Sequence, residues 1–367
     1  MSGTSLDGLD LAYCKFQMAE NQWHYEIFAA QTIPYSSNWV KKLNSACLLP
    51  ADKFCELDSE LAALFSNYII EFILKHGKPD FISSHGHTVF HQPKSKITKN
   101  IIHPYTSQIA SGAIISALTG LSVVCDFRAT DVALGGQGAP LVPIGDLYLF
   151  HKYDFCLNLG GIANISFNSP VNHINKATTT RIASDICFAN MALNYLASLS
   201  GVSFDKNGVM ANSGMLNPQL LDKLNQLDFN HFPFPKSIGI EYFNLEVLPL
   251  LESFQIPVEN KLHTFCHHIA MQVKAVIDDE TKTMDGSSIE KLSILLTGGG
   301  AYNSFLVKII KEHLKLNVVI PENTIIDFKE ALIFAFLGVL RMRGEVNVLK
   351  SVTGASRDSC SGAVYLP

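Results

Sequence analysis

Twice along its length the chain alternates strands with amphipathic helices, and that order restricts it to α/β architecture. "LDLAYCKF" and "WHYEIFAAQTIPY" read as two strands joined by a polar turn at Ala19 to Gln22. Phe54, Leu57, Leu61, Leu64, Phe65, Tyr68 and Phe72 then recur at helical spacing, with Gly77 where a C-terminal cap belongs. "DFISSHG" gives a short strand. A helix from Gln108 to Leu118, a glycine stop and a buried strand from Leu121 to Cys125 complete a first α/β domain. "DFRATDVALGGQGAPLVPIGD" carries too many glycines and prolines for a regular element and reads as a loop or linker. The pattern restarts at "YDFCLNLGGIANISF", a strand, a Gly-Gly turn and a strand. A helix (Leu262 to Asp278), strand "LSILLTGGG", helix "NSFLVKIIKEHL", strand "LNVVI" and helix "DFKEALIFAFLGVLRMR" follow. The two domains are placed at 1–134 and 135–367, with the C-terminal segment a candidate to return to the first.

At 367 residues the chain exceeds what one hydrophobic core supports, which agrees with two domains. A net charge of −5 offers no basic surface, so neither a nucleic-acid nor a membrane partner is expected. The charge-free stretch from Asn100 to Cys125 contains His103, Pro104, Gln108 and Gly120, and reads as a soluble helix and strand rather than a membrane span. Cys14, Cys47, Cys55, Cys125, Cys156, Cys187, Cys266 and Cys360 form no C-x-x-C pair, the usage of reduced thiols. The expectation is a soluble, cytoplasmic protein.

Each half opens with small polar residues and glycines beside a strand: "SGTSLDG" in the first, "NLGGIANIS" in the second. "LLTGGGAYN" adds a third such turn. Backbone without side chains can approach a phosphorylated ligand closely, and carboxylates beside it can hold a metal. Three such turns point to a nucleotide, although the phosphate loop G-x-x-x-x-G-K-S/T and a convincing G-x-G-x-x-G are both missing. His85, His87 and His91 fall within seven positions, but with no cysteine or carboxylate cluster near them zinc is not expected. His91, His267 and His268 read as surface residues, and Met191 and Leu193 as core. Asp185 stands before "ANMALNYLASL" and, on its surroundings alone, reads as a helix N-cap.

"MSGTSLDGLD", "SHGHTVFHQP", "DFRATDVALGGQGAPLVP", "NLGGIANIS", "FDKNGVMANSG", "LLTGGGAYN" and "KEALIFAFLG" occur in this order from end to end. Together they resemble the anhydro-N-acetylmuramic acid kinase family, within the sugar kinase, actin and heat-shock chaperone superfamily. The resemblance implies two actin-like (ribonuclease H-like) α/β domains flanking an ATP/sugar cleft. It implies an ATP phosphate loop at Gly3, Thr4, Ser5, Leu6, Asp7, Gly8, Leu9 and Asp10, with Asp7 holding Mg²⁺ through water. Gly160, Gly161 and Asn164 match the second phosphate turn, and Gly298, Gly299 and Gly300 the nucleoside side. "DICFAN" matches the family's D-T-G-P-G-N, which makes Asp185 the catalytic aspartate and Asn190 a substrate-binding residue. His85, Arg128, Gln137 and Glu330 fall near the expected sugar pocket. The implied reaction hydrolyses the bridge of 1,6-anhydro-N-acetylmuramic acid and phosphorylates O6 with ATP, giving N-acetylmuramic acid 6-phosphate for cell-wall recycling. A homodimer is compatible with the resemblance.

Three departures accompany the match. Family members carry an apolar strand before this motif, so such a strand is expected upstream of Met1. Cys187, Phe188 and Ala189 replace Gly, Pro and Gly, which implies a changed backbone path and a bulky ring beside the active site. Ile240 stands where an arginine is usual. These features motivate an alternative: a nucleotide-binding sensor, or a sugar kinase with altered specificity or lost activity.

Overall fold

A computed structural model describes residues 1–3, 6–93, 103–169 and 180–367, so Thr4 and Ser5 of the expected phosphate loop lie outside the described residues. The chain divides into one unit of Met1–Leu149 with Phe328–Pro367 and another of Phe150–Asp327. The division falls at 149/150 rather than 134/135, and 328–367 lies with the first unit. The cause is local, because the glycine- and proline-rich segment read as a linker packs into the first unit. It forms the short helices Ala129–Ala133 and Pro143–Tyr148. A Cβ on Gly145 would lie 2.4 Å from Ile333. Asp146 pairs with Lys329 at 2.7 Å, their side chains only 4% and 7% exposed.

In the first unit, β1 (Gly8–Ala19) and β2 (Gln22–Pro34) pair antiparallel as the expected hairpin. Glu20 and Asn21 at its tip have φ of 51° and 59°, the primed turn that matches strand twist. The helix Ala51–His76 buries Leu57, Leu61, Phe65 and Ile69 on one stripe and ends at Gly77, whose N–H donates to the Ile73 carbonyl. β3 (Ile82–Ser83) leads to a hairpin absent from the sequence reading, β4 (His87–Gln92) with β5 (Tyr105–Ile109). Gln108 and Ile109 therefore belong to a strand, and the helix expected from Gln108 spans Gly112–Thr119. β6 (Val123–Cys125) lies between β3, to which it is parallel, and the antiparallel C-terminal strand Ala363–Tyr365. Among the described residues no helix is long and apolar enough to cross a membrane.

The second unit holds β7 (Phe155–Leu159), β8 (Ile162–Ser169), β9 (Thr180–Phe188), β10 (Ser293–Thr297) and β11 (Asn317–Val319). Their order is β11-β10-β7-β8-β9, three antiparallel strands continued by two parallel ones. This is the ribonuclease H-like strand order. Phe155, Leu157 and Leu159 of β7 and Ile294 and Leu296 of β10 are enclosed on one face and Cys156 and Leu295 on the other, as central strands covered on both faces require. The helix Val258–Thr281 covers the sheet with Leu262, Phe265, Ile269 and Val273. Each such side chain contributes roughly 1.5–3 kcal/mol by leaving water.

Candidate active site

In the second unit, β7 and β10 end in glycine turns at the same edge. Gly298 has φ of +79° and ψ of 167°, a region essentially reserved for glycine, and its ideal Cβ would lie 2.9 Å from the Leu159 backbone. A Cβ on Gly300 would lie 2.6 Å from Leu159 Cβ. Packing alone therefore requires both glycines. Gly161 differs, since its Cβ would meet nothing nearer than Met191 at 3.8 Å. Gly299 likewise has only Asn190 Nδ2 at 3.5 Å, and Gly160 has the side-chain end of Asn158 at 3.3 Å and Ile162 O at 3.5 Å. These three leave a bare backbone surface that the protein itself does not fill, the shape that phosphate or sugar oxygens fit.

Asn190 begins the helix Asn190–Ser198 and donates its Nδ2 to Leu159 O at 2.9 Å. The N–H groups of Ala189 and Met191 go to Gly161 O, and that of Asn190 to Gly160 O. The helix start thus braces the Gly160–Gly161 turn, and its amides are already used. Phe188 turns inward rather than toward the site, 3% exposed with its ring 5.2 Å from Phe243. Cys187 is enclosed as well, and burial pushes its thiol up to about 12.

Asp185 lies within β9, and the helix cap is Ala189, so the N-cap reading is excluded. The β8–β9 register slips here: Ala163 faces Cys187 while Asn164 faces Asp185, leaving Ile186 as a bulge. A bulge re-aims its neighbours. Asp185 and Asn164 become a cross-strand pair, which puts Asn164 beside the carboxylate. Ile238 N–H donates to Asp185 Oδ2 at 3.0 Å and Ser237 Oγ at 3.2 Å. Burial raises the carboxyl above its ordinary pKa, and these two donors partly oppose it. An aspartate kept basic, with its second oxygen unbonded among the described residues, can accept a proton.

In the first unit the opening loop is short. Leu6 has φ of 58° and its N–H reaches Gly3 O at 3.4 Å. Gly8, Leu9 and Asp10 already belong to β1, which revises the expected length of the loop. A Cβ on Gly8 would lie 2.4 Å from Ile33 O, so strand pairing explains that glycine, and Leu9 is a core residue at 3% exposure. Asp7 is exposed, and Asp10 Oδ1 accepts from Thr32 Oγ1 at 2.6 Å. Burial pushes Tyr35 up to about 12; its Ser2 hydrogen bond opposes this, while Asp10 and Asp7 add to it. Both carboxylates are thus felt at Tyr35, and carboxylate oxygens are the hard donors that Mg²⁺ takes, directly or through water.

Arg128 donates Nε–H to His85 Nε2 at 3.0 Å and Nη1 to Gly138 O at 2.6 Å, with its guanidinium 5.8 Å from the Phe334 ring centre. Burial lowers Arg128 to about 10, with Glu330 opposing that change. His85 Nδ1 lies 3.0 Å from Gly86 O, so both ring nitrogens are engaged. Burial and then Arg128 hold its pKa well below the ordinary histidine value. His85 is thus held neutral, with one ring nitrogen bonded to Arg128 and the other to Gly86. Glu330 keeps solvent access while protein crowds around it; this desolvation raises its pKa, and Arg128 opposes the rise.

Gln137 is exposed at the tip of a loop that sequence reasoning left without a support. The support is Asp131, itself fully buried, which accepts from Gly138 N–H and from Thr353 Oγ1, each at 2.7 Å. An aspartate a few residues before "GGQG" is the signal that could have found it. His91 is half-buried rather than on the surface, with Nδ1 3.0 Å from Thr106 Oγ1, and burial lowers its pKa. His268 is likewise internal, 2.7 Å from Asn225 Oδ1, and burial lowers it to about 3.

A sequence profile described as anhydro-N-acetylmuramic acid kinase matches residues 1–367. The anhydro-N-acetylmuramic acid kinase of Vibrio cholerae is 34% identical over 382 residues, covering 100% of this chain and 97% of that protein. That of Colwellia psychrerythraea is 34% identical over 394 residues, covering 100% and 96%. Among solved structures, the xylulose kinase of Rhodospirillum rubrum superposes with a TM-score of 0.34 at 15% identity, covering 62% of this chain and 45% of that one. With a profile matched from end to end and relatives a third identical across nearly their full length, the chain belongs to the anhydro-N-acetylmuramic acid kinase family.

Proposed function

We propose that this protein phosphorylates 1,6-anhydro-N-acetylmuramic acid with ATP and water, giving N-acetylmuramic acid 6-phosphate and ADP in cell-wall recycling. The observation that carries the reading is Asp185, aimed by a bulge and held through one oxygen only. Its Oδ1 would take a proton from the water that attacks the anomeric carbon. The bond from that carbon to O6 breaks as the new C–O bond forms, and O6 takes the γ-phosphoryl group while the bond to ADP breaks. Arg128, Glu330 and Gln137 would bind the sugar. Gly160, Gly161 and Gly299 would receive ATP along open backbone, with Gly298 and Gly300 shaping that turn. Asp7 and Asp10 would hold hydrated Mg²⁺, which neutralises phosphate charge when bound.

Eight free cysteines and the use of ATP fit a cytoplasmic enzyme. One observation favours a second reading, a nucleotide-binding protein without turnover: Ile240, 46% exposed, stands where the family resemblance leads one to expect arginine. A coupled ADP-release assay separates the two. The enzyme reading predicts ADP release that depends on both the anhydro-sugar and Mg²⁺; ATP binding without sugar-dependent release would leave the second reading in its place.

A further inference from the structure

The segment 236–238, just before the short helix Ile240–Tyr242, lies along β9 and does more than pack. Lys236 pairs with β9 through its backbone: Asp185 N–H donates to Lys236 O at 3.0 Å, and Lys236 N–H to Ser184 Oγ at 2.8 Å. Ser184 Oγ in turn donates to Lys236 O at 3.0 Å. The Lys236 ammonium points away from Asp185. It donates to Phe229 O at 2.7 Å and Asn230 O at 3.1 Å and lies 4.5 Å from the Phe229 ring centre. One end of the segment is thereby pinned, and residues 237 and 238 are delivered to the Asp185 carboxylate.

We propose that Ser237 is a positioning residue for the reaction: with the Ile238 N–H it anchors Asp185 Oδ2, fixes the carboxylate's rotamer and leaves Oδ1 as the proton-accepting atom. This rests on the reading of Asp185 as the base. Two donors on Oδ2 give the carboxylate one orientation to offer the attacking water, whereas the Ile238 amide alone leaves it free to swing about its χ2 axis. A hydroxyl donor also favours the charged form, so its loss raises the carboxyl's proton affinity.

The test compares Ser237→Ala, Ser237→Thr and Asp185→Asn in the full-length protein with ATP, Mg²⁺ and 1,6-anhydro-N-acetylmuramic acid. Ser237→Ala is expected to lower kcat about fivefold at unchanged KM for ATP and to move the acidic limb of kcat/KM to higher pH. Ser237→Thr, which keeps the hydroxyl, is expected to restore both. A Ser237→Ala profile that superimposes on wild type overturns the inference, whether or not the melting temperature falls. Wild-type turnover in Asp185→Asn would remove the reading beneath it as well. That result is distinct from an inactive Asp185→Asn beside an unshifted Ser237→Ala, which overturns the role of Ser237 alone.

Discussion

The helix that the sequence offers Asp185 to cap begins at Asn190, with Ala189 in the cap position, so the carboxylate is left for other work. Partial burial keeps it basic, and the sign of the pH dependence follows. Activity that needs the ionised form falls as pH drops through a pKa raised above the ordinary aspartate value, so the acidic limb of kcat/KM should lie above that value. The glycines separate by what a methyl group would strike. Gly161→Ala meets nothing closer than 3.8 Å, so stability should change by no more than about 0.5 kcal/mol while KM for ATP rises roughly tenfold. Gly298→Ala forces an alanine into backbone reserved for glycine and should lose roughly 1–3 kcal/mol or more. Thermal melts beside ATP titrations of both variants check the contrast, and equal behaviour would contradict it. Asp7→Asn, at an exposed turn, should leave the melting temperature in place yet cost roughly 3 kcal/mol of transition-state stabilisation, about a hundredfold in rate. Turnover measured against Mg²⁺ concentration is the check.

Elements with a clear period were legible, and those shaped by tertiary contact were not. The β1–β2 hairpin, the helix Ala51–His76 and the Gly-Gly turn between β7 and β8 follow from alternation, helical spacing and turn chemistry. β9 was missed because Ala183, Ser184, Ile186, Cys187 and Phe188 are all buried, so the strand shows no alternation, and its bulge breaks what period remains. With β9 unseen, neither the pairing of Asp185 with Asn164 nor its bonds to Ser237 and Ile238 could be read. The short helices Ala129–Ala133 and Pro143–Tyr148 escape for the opposite reason: the glycines and prolines around them argue against helix locally, and tertiary contacts override that, Asp131 with Thr353 in the first and Gly145 against Ile333 in the second. The helix Asn323–Met342 carries Glu330 and is fixed by the buried Lys329–Asp146 pair. Lys329→Met removes the cation from this buried pair and should destabilise the protein by about 3–5 kcal/mol, read by denaturant unfolding. A change within 1 kcal/mol would show that Asp146 finds another partner at little cost.

Across the whole molecule, the ordered motifs carry the family resemblance, and the full-length match agrees with it. The β11-β10-β7-β8-β9 order gives the second unit the expected ribonuclease H-like sheet. The return of the C-terminal segment to the first unit agrees with the sequence reading, whereas the boundary falls at 149/150 rather than 134/135 because the glycine- and proline-rich segment packs into the first unit. In the proposed reaction Asp185 is the base of a hydrolytic phosphorylation. The most direct measurement is mass spectrometry of the sugar after incubation with ATP and Mg²⁺, for wild type and Asp185→Asn, with the melting temperature of each. Because folding holds this carboxyl at a raised pKa, its ionised form costs stability above that pKa, and the cost fades as pH falls through it. The wild type should therefore give a product heavier than 1,6-anhydro-N-acetylmuramic acid by one water and one phosphoryl group, and Asp185→Asn, melting at or above the wild-type temperature at neutral pH, should give none. An unchanged sugar with the wild type, or the same product from Asp185→Asn, would contradict the proposed reaction.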